Sequence, residues 1–564
     1  MKYSFFIVLM TLILGSCQPG TKEKPKHTAS ITDTVETSRI NPNFQWEAAT
    51  VYFLLTDRFK NGNPANDLNF NRDKATGKLR GFMGGDIQGI TQKINDGYFT
   101  KLGVNALWFT PVIEQVHGAT DEGTGNTYAY HGYWAKDWTA LDPNFGTEKE
   151  LETLVNTAHK NGIRVLLDVV LNHTGPITEE DPVWPEEWVR TAPTCEFTTY
   201  ENTTSCTLVA NLPDIITESD TPVKLPDTLL AKWKTEGRLS EELDELDLFF
   251  DRTGYPRSPR FYVIKWLTDY IHTYGIDGFR VDTVKHVNEN VWAELYKESS
   301  AAFELWKKKN TAKVLDTNPF YMVGEVYNYG ISYGRKFDFG DKKVDYFANG
   351  FKSLINFELK TDAVKAYETI FSKYSKLLYA NFKDKSVLNY LTSHDDDQPF
   401  DKERTDPKRA ANVLLLTPGA SQIYYGDETA RDLTIEGTEG DATLRSFMNW
   451  EELDSIPQKK EILKHWQKVG RFRNDHPSIG AGIHKRLTKV PYVFSRYLNR
   501  NDFTDKVVIG LDLPKGKKSI RVKGIFGDGT KLYDSYSETE VVVTNGKVIL
   551  ENDFDIALLE PQEY

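Results

Sequence analysis

The chain has 564 residues, 39% hydrophobic and 27% charged, enough for roughly two to four domains around a large core, which excludes disorder as its main state. A formal net charge of −12 gives a surface that repels polyanions and argues against nucleic acid as the partner. Aromatic residues reach 13%; their faces suit the apolar faces of sugar rings, although most rings in a chain of this size fill the core.

The first residues, MKYSFFIVLMTLILGSC, combine Lys2, an apolar run from Phe5 to Leu14, small residues and Cys17. This is the pattern of a signal peptide, residues 1–17. The run is shorter than the ~20 apolar residues of a membrane-spanning helix, and no other stretch approaches that length. Leu14-Gly15-Ser16-Cys17 resembles the lipobox of bacterial lipoproteins, which implies that Cys17 is lipidated as the first residue of the mature chain. Residues 18–45 are rich in Lys, Thr, Ser and Pro and read as a flexible tether. Gln18, Pro19 and Gly20 contain neither an Asp nor an acidic run, so the expected location is the cell envelope, at the outer membrane facing the periplasm.

Short apolar runs then recur: Thr50 to Leu55, Val104 to Phe109, Arg164 to Val170, Ile276 to Val281, Tyr321 to Glu325, Val344 to Phe347, Val387 to Leu391 and Gln422 to Tyr425. Between them lie stretches with helical spacing, such as Ile90, Ile94, Tyr98 and Leu102 before Gly103, and Leu151, Leu154, Val155 and Ala158 before Asn161-Gly162. Eight strands alternating with helices predict an α/β fold, a closed (β/α)₈ barrel, with a doubly wound open sheet as the alternative. The barrel occupies residues 46–173 and 259–474. Residues 174–258, after the third strand, form an inserted domain, since a loop that long is uncommon unless it has its own structure. Cys195 and Cys206 lie within it and, in an exported chain, predict a local disulfide. Residues 475–564 alternate with turn signals and predict an antiparallel β-sandwich; Glu540 to Thr544, Asn545-Gly546 and Lys547 to Leu550 read as a hairpin.

The active site of such a barrel lies at the C-terminal ends of its strands. There stand Asp168, Asn172 and His173 in DVVLNHT, Arg280, Asp282, Lys285 and His286 in GFRVDTVKH, Glu325 in VGEVYN, and His394 and Asp395 in LTSHDD. One Asp at a strand end is usually a helix cap or a solvated charge; four clusters at four strand ends are not explained that way. Arg280 and Asp282 stand at i and i+2, on one face of a strand, so the guanidinium holds Asp282 ionised and fit to be a nucleophile. Glu325 follows an apolar run that raises its pKa. One ionised and one protonated carboxyl facing each other are what retaining glycoside hydrolysis needs.

These four blocks resemble the four signature regions of the α-amylase superfamily, glycoside hydrolase family 13, from about Ala49 to the end of the chain. The resemblance implies Asp282 as nucleophile, Glu325 as general acid/base and Asp395 as the carboxylate that stabilises the transition state. It implies Arg280 as the group orienting Asp282, and His173 and His394 as hydrogen-bonding partners of sugar hydroxyls in the cleavage subsite. It further implies that Tyr133 in YAYHGYW, which matches the family's stacking tyrosine, packs on that sugar with His131 beside it, and that Lys285 is a further substrate-binding residue. Asp168 supports the site structurally. Asp396 and Asp397, which follow Asp395, are expected in solvent, as Trp108, Trp134 and Trp138 are expected in the core or cleft wall.

Hard oxygen ligands from separate loops suit calcium. Asn172, Asp214 in NLPDI and the backbone carbonyl of His286 match the family's calcium site between barrel and inserted domain. Asn61, Asn63, Asn66, Asp67 and Asp86 in two Gly-rich loops, with the carbonyl of Gly84, resemble an additional calcium site of cyclodextrin glucanotransferases and related amylases. No His/Cys set has zinc spacing.

The stretch LGVNALWFTPVIEQVHG through YAYHGYWAKDWTALDPNFG resembles the periplasmic α-amylases of Gram-negative bacteria. The expected activity is retaining, endo-acting hydrolysis of α-1,4 bonds in starch fragments and maltooligosaccharides by a monomer. The alternatives within the class are a cyclodextrin glucanotransferase or a cyclomaltodextrinase/neopullulanase-type enzyme; outside it stands a non-catalytic glucan-binding protein.

Overall fold

The computed structural model describes residues 44–500 and 503–562; the signal peptide, Cys17 and the tether up to residue 43 lie outside the described residues. Eight parallel strands close a barrel in chain order: β1 Thr50–Leu54, β2 Ala106–Phe109, β3 Arg164–Val169, β4 Gly278–Val281, β5 Tyr321–Gly324, β6 Ser353–Asn356, β7 Ser386–Asn389 and β8 Ala420–Tyr424, with β8 pairing back onto β1. Every residue of these strands is buried, as expected where helices cover one face and packed side chains the other. At the N-terminal mouth Trp46 stacks on Tyr321 with ring centroids 4.0 Å apart, closing the end opposite the strand C-termini.

Helices return the chain between strands. Glu148–Lys160 is opened by a capping box of Thr147 and Glu150 and buries Leu151, Leu154, Val155 and Ala158, the face its spacing predicts. The stretch from Ile90 to Leu102 differs from expectation: Ile87–Asn95 ends at Asp96, Gly97 turns with φ +70°, and Tyr98–Lys101 restarts. The sixth strand also differs. Val344 sits in a two-residue ladder, and Tyr346–Asn349 closes as a 3-10 turn capped by the Asp345 side chain. The barrel strand is Ser353–Asn356, whose buried polar ends hide it from an apolar reading; Asn356 Nδ2 donates to Asn389 Oδ1 on β7 at 2.8 Å.

Between β3 and the helix Pro259–Tyr274 the chain makes a long excursion with one helical turn, Glu201–Thr204, and two longer helices, Asp227–Glu236 and Leu239–Thr253. Its small ladder of Val189–Arg190 against Asp214–Ile215 joins the barrel where Ile215 N donates to Asn172 O at 2.8 Å and Thr174 N to Pro213 O at 3.0 Å. Cys195 and Cys206 are disulfide-bonded within it.

After the helix Pro457–Asp475 come a six-stranded antiparallel sheet and a two-stranded one, packed over Val493, Val508, Ile520, Leu532, Val548 and Leu559. The Asn545-Gly546 turn forms with positive φ at both residues, and Thr544 and Lys547 exchange backbone hydrogen bonds across it, but beyond that one bridge its arms part. Thr539–Val542 joins the larger sheet and Lys547–Asn552 the smaller, so the turn links the two layers of the sandwich.

Candidate active site

Period-two alternation on β3 and β4 places Asp168 and Arg280 in register and pointing inward. Arg280 is the hub. Its Nη1 donates to Asp168 Oδ1 at 3.0 Å and to Asp282 Oδ1 at 2.8 Å, and its Nη2 lies 3.0 Å from Glu325 Oε1. Asp282 and Glu325 thus meet on one guanidinium, close enough for each carboxyl to act on the other, and Thr283 N donates to Glu325 Oε2 at 3.2 Å. Asp282 N on Val169 O (3.0 Å) and Glu325 N on Val281 O (2.9 Å) continue the strand ladders to the two carboxyls, so the barrel backbone fixes their separation.

The two carboxyls titrate differently. Burial pushes Glu325 up to about 8 against the pull of Arg280, with Asp282 and Asp395 adding to the rise. Burial also raises Asp282, against Arg280, which acts on it both as a charge and through a hydrogen bond, and it reaches only about 6. The expectation that Arg280 alone sets Asp282 omitted this desolvation; the outcome at neutral pH, one ionised and one protonated carboxyl, is the same. At Asp395 burial is outweighed by His394, Arg280, the Ser393 hydroxyl and Arg445, and the carboxyl lies below its ordinary range.

Of the three adjacent acids after His394, Asp395 is surrounded by protein but keeps 35% of its side chain open to solvent, and it accepts from Ser393 Oγ at 2.9 Å. Asp396 departs from expectation: it is buried against Lys360, accepts from Tyr390 OH at 2.6 Å and belongs to the packing. Asp397 is exposed.

Tyr133 OH donates to Asp168 Oδ2 at 2.7 Å and its ring lies parallel to His394, centroids 5.3 Å apart. His131 Nδ1 accepts from Tyr133 N at 3.1 Å, and His173 Nε2 meets Tyr133 O at 3.1 Å. Burial lowers all three imidazoles, His173 and His394 to about 4, so they are neutral hydrogen-bonding groups at pH 7. His173 Nδ1 is buried without a protein partner, free to accept from a hydroxyl. Lys285 stands apart from this group, ringed by Phe197, Tyr327 and Phe337 at 5.2–5.9 Å; Phe197 is 51% and Tyr327 46% exposed.

Three residues of this site escaped the sequence reading. Trp108 Nε1 donates to Asp168 Oδ2 at 2.8 Å, so the ring also orients a carboxylate. Ser393 holds Asp395. Arg445, whose Nε donates to His394 O at 2.9 Å, lies beyond β8 in a 3-10 stretch with no strand-end signal; Ser393, adjacent to the His-Asp pair, was within reach.

The expected cation ligands fall into two sets. Asn172 Nδ2 is hydrogen-bonded to Asp214 Oδ1, while Asn172 Oδ1 and Asp214 Oδ2, both buried, accept no hydrogen bond. Burial pushes Asp214 up to about 8 although Arg190 opposes it. His286 Nδ1 meets Thr203 O of the excursion at 3.1 Å. In the second set Asn61 Nδ2 donates to both Asp67 oxygens (2.8 and 2.9 Å), and Asn61 Oδ1 and Asn66 Oδ1 are buried without partners. A Cβ on Gly84, whose φ is +85°, would lie 2.7 Å from Asp67 Oδ1. Asn63 and Asp86 are engaged elsewhere: Asn63 Oδ1 caps Ala65 N, and Asp86 accepts from the backbone N–H groups of Gly62, Asn63 and Gly89. Orphaned hard oxygens beside single carboxylates fit a calcium-like cation in both places. Among the described residues no three His, Cys, Asp or Glu side chains gather as a metal cluster.

The sequence model described as alpha amylase, catalytic domain, matches residues 53–190 and 257–482, leaving out most of the excursion. The periplasmic alpha-amylase of Escherichia coli strain K12 is 37% identical over 514 residues, 80% of this chain and 71% of that protein. A cyclomaltodextrin glucanotransferase of Thermoanaerobacterium thermosulfurigenes is 26% identical over 586 residues, 97% of this chain and 72% of that protein. The solved alpha-amylase of Geobacillus thermoleovorans, complexed with acarbose, superposes with a TM-score of 0.63 at 22% identity, covering 92% of this chain and 99% of that one. That last likeness is one of fold.

Proposed function

Because the chain belongs to the α-amylase family, we propose that it is a retaining glycoside hydrolase that cleaves internal α-1,4-glucosidic bonds of starch fragments and maltooligosaccharides. The observation that carries this reading is the contact between Asp282 and Glu325 on one guanidinium. Inverting enzymes need carboxyls about 6.5–9.5 Å apart to admit a water between them, whereas retaining ones need about 5 Å. Asp282, ionised, attacks the anomeric carbon while Glu325, protonated, gives its proton to the leaving oxygen. The resulting glycosyl-Asp ester is then opened by water, which loses its proton to Glu325. Asp395, held ionised beside His394, stabilises the positive charge that develops on the ring in both steps. Tyr133, with its hydroxyl fixed on Asp168, presents its ring to the sugar, and His131, His173 and His394 hydrogen-bond its hydroxyls as neutral groups.

Calcium, when bound, supplies fixed positive charge that ties loops to the scaffold. Asn172 and Asp214, with the His286 carbonyl, would hold one ion at the junction of barrel and excursion, and Asn61, Asn66, Asp67 and the Gly84 carbonyl a second. The enzyme is exported and anchored through a lipid on Cys17, and residues 46–173 and 259–474 (barrel), 174–258 (inserted domain) and 475–564 (β domain) are its folding units.

A second reading, transfer to a sugar acceptor, is supported by the exposed rings of Phe197 and Tyr327 around Lys285, which offer an acceptor a stacking surface beside the ester. Time-resolved analysis of products from end-labelled maltooligosaccharides separates the two. Hydrolysis gives only fragments shorter than the substrate, cut within the chain. Early products longer than the substrate make it a transferase, and a folded protein that binds glucans without turnover makes it a binding module.

A further inference from the structure

Asp214 has a second partner besides Asn172. Arg190 is its cross-strand neighbour in the two-residue ladder of the excursion, with Nε 3.2 Å from Asp214 Oδ2. The other arm of the guanidinium pairs with Glu218. Arg190 and Asp214 side chains are 16% and 2% exposed, whereas Glu218 is 30% exposed. A carboxylate so deeply buried is costly to ionise, and the guanidinium beside it opposes that cost without cancelling it. Arg190 supplies its charge without supplying a hydrogen bond to Oδ2, which stays open together with Asn172 Oδ1. A divalent ion and a guanidinium cannot both sit against one carboxylate without repelling each other. Glu218, nearer the surface, gives the guanidinium somewhere to remain when it is displaced.

We infer that Arg190 is a built-in counter-cation for Asp214: within the excursion it offsets the buried charge of Asp214, and so supports the Asp214–Asn172 contact with the barrel, when no ion is bound, and it retreats to Glu218 when calcium takes Asp214. The inference rests on the reading of Asn172 and Asp214 as a calcium site. It makes calcium at this junction a competitor of an internal charge, so the fold there does not depend wholly on the ion.

The test compares melting temperatures of the full chain, wild type and Arg190→Gln, in chelator and in saturating calcium chloride. In chelator Arg190→Gln is expected to melt about 5 °C or more below wild type, because a buried carboxylate has lost its charge partner. In calcium the gap closes, and Arg190→Gln takes up calcium about tenfold more tightly than wild type. A variant that folds only with calcium present gives the same support in stronger form. Glu218→Gln, at a part-exposed position, leaves Arg190 no second partner and is expected to weaken calcium uptake several-fold. A gap of equal size in both solutions, or Glu218→Gln with unchanged uptake, overturns the inference while calcium binding itself stands. If calcium shifts the melting of neither protein, the calcium reading falls and the inference with it.

Discussion

Asp282 and Glu325 sit on one arginine, yet burial moves Glu325 further than Asp282, to about 8 against about 6. Turnover needs Asp282 ionised and Glu325 protonated, so activity is predicted to rise through about pH 6, peak near neutrality and fall through about pH 8. The two limbs belong to the coupled pair. Glu325→Gln is expected to lower turnover of unactivated glucans by about 10²–10⁴ and to abolish the alkaline limb, with much of the loss recovered on a substrate whose leaving group needs no proton. Asp282→Asn removes the nucleophile and is expected to cost on the order of 10⁴ or more. A pH profile with a single limb, or equal loss on both substrates, contradicts the assignment. Arg280, Asp282 and Glu325 were legible in the sequence because a strand's period of two, an apolar run and a charge at its end coincide there. Arg445 and the carboxylate role of Trp108 were not, because each depends on a contact across the barrel that no local pattern records.

At the scale of elements, seven of the eight barrel strands were legible as apolar β-branched runs. The sixth was not, since it begins and ends on the buried polar residues Ser353 and Asn356, the latter bonded to Asn389 on β7, and a more apolar stretch just upstream folds instead as a capped turn. The Asn545-Gly546 turn was read correctly, but whether its arms share a sheet is decided by long-range pairing with Lys531–Asp534 and Gly516–Arg521. The Cys195–Cys206 bond closes a short loop, of sequence separation 11, that presents Phe197 beside Lys285 and Thr203 O to His286. Replacing both cysteines with serine is expected to destabilise the chain by about 3 kcal/mol on loop entropy, read as a lower denaturant midpoint. Through the loosened Phe197 it is also expected to raise KM for long oligosaccharides more than for short ones. A KM that rises equally for all lengths places Phe197 away from the bound chain.

At the scale of the molecule, the barrel and the six-stranded sheet are joined through His476, which follows the helix Pro457–Asp475. Its Nδ1 meets Asp505 Oδ1 at 2.9 Å and its Nε2 meets Glu560 Oε2 at 2.6 Å. Burial disfavours the imidazolium, but the two carboxylates outweigh burial and raise its pKa to about 9. A group raised on folding contributes stability that is full below its unfolded value near 6.5 and lost as pH rises through about 9. The contribution is on the order of 3 kcal/mol. The wild type is therefore expected to lose stability in denaturant melts between pH 6.5 and 9.5. His476→Gln is expected to be less stable at pH 6.5 and to show a flatter slope over that interval; an unchanged slope places the alkaline loss elsewhere.

The acidic balance with which the sequence opens is thus distributed over catalytic carboxyls, candidate cation ligands and this junction. The claim on which the rest depends is retention through a covalent ester on Asp282, and the anomeric proton signals of freshly released products test it most directly. Proton NMR of a maltooligosaccharide digest, recorded within minutes of adding the calcium-loaded enzyme, is predicted to show new reducing ends in the α configuration first, with β signals growing only by mutarotation. β ends appearing first, or no new ends from a folded enzyme, would contradict the account.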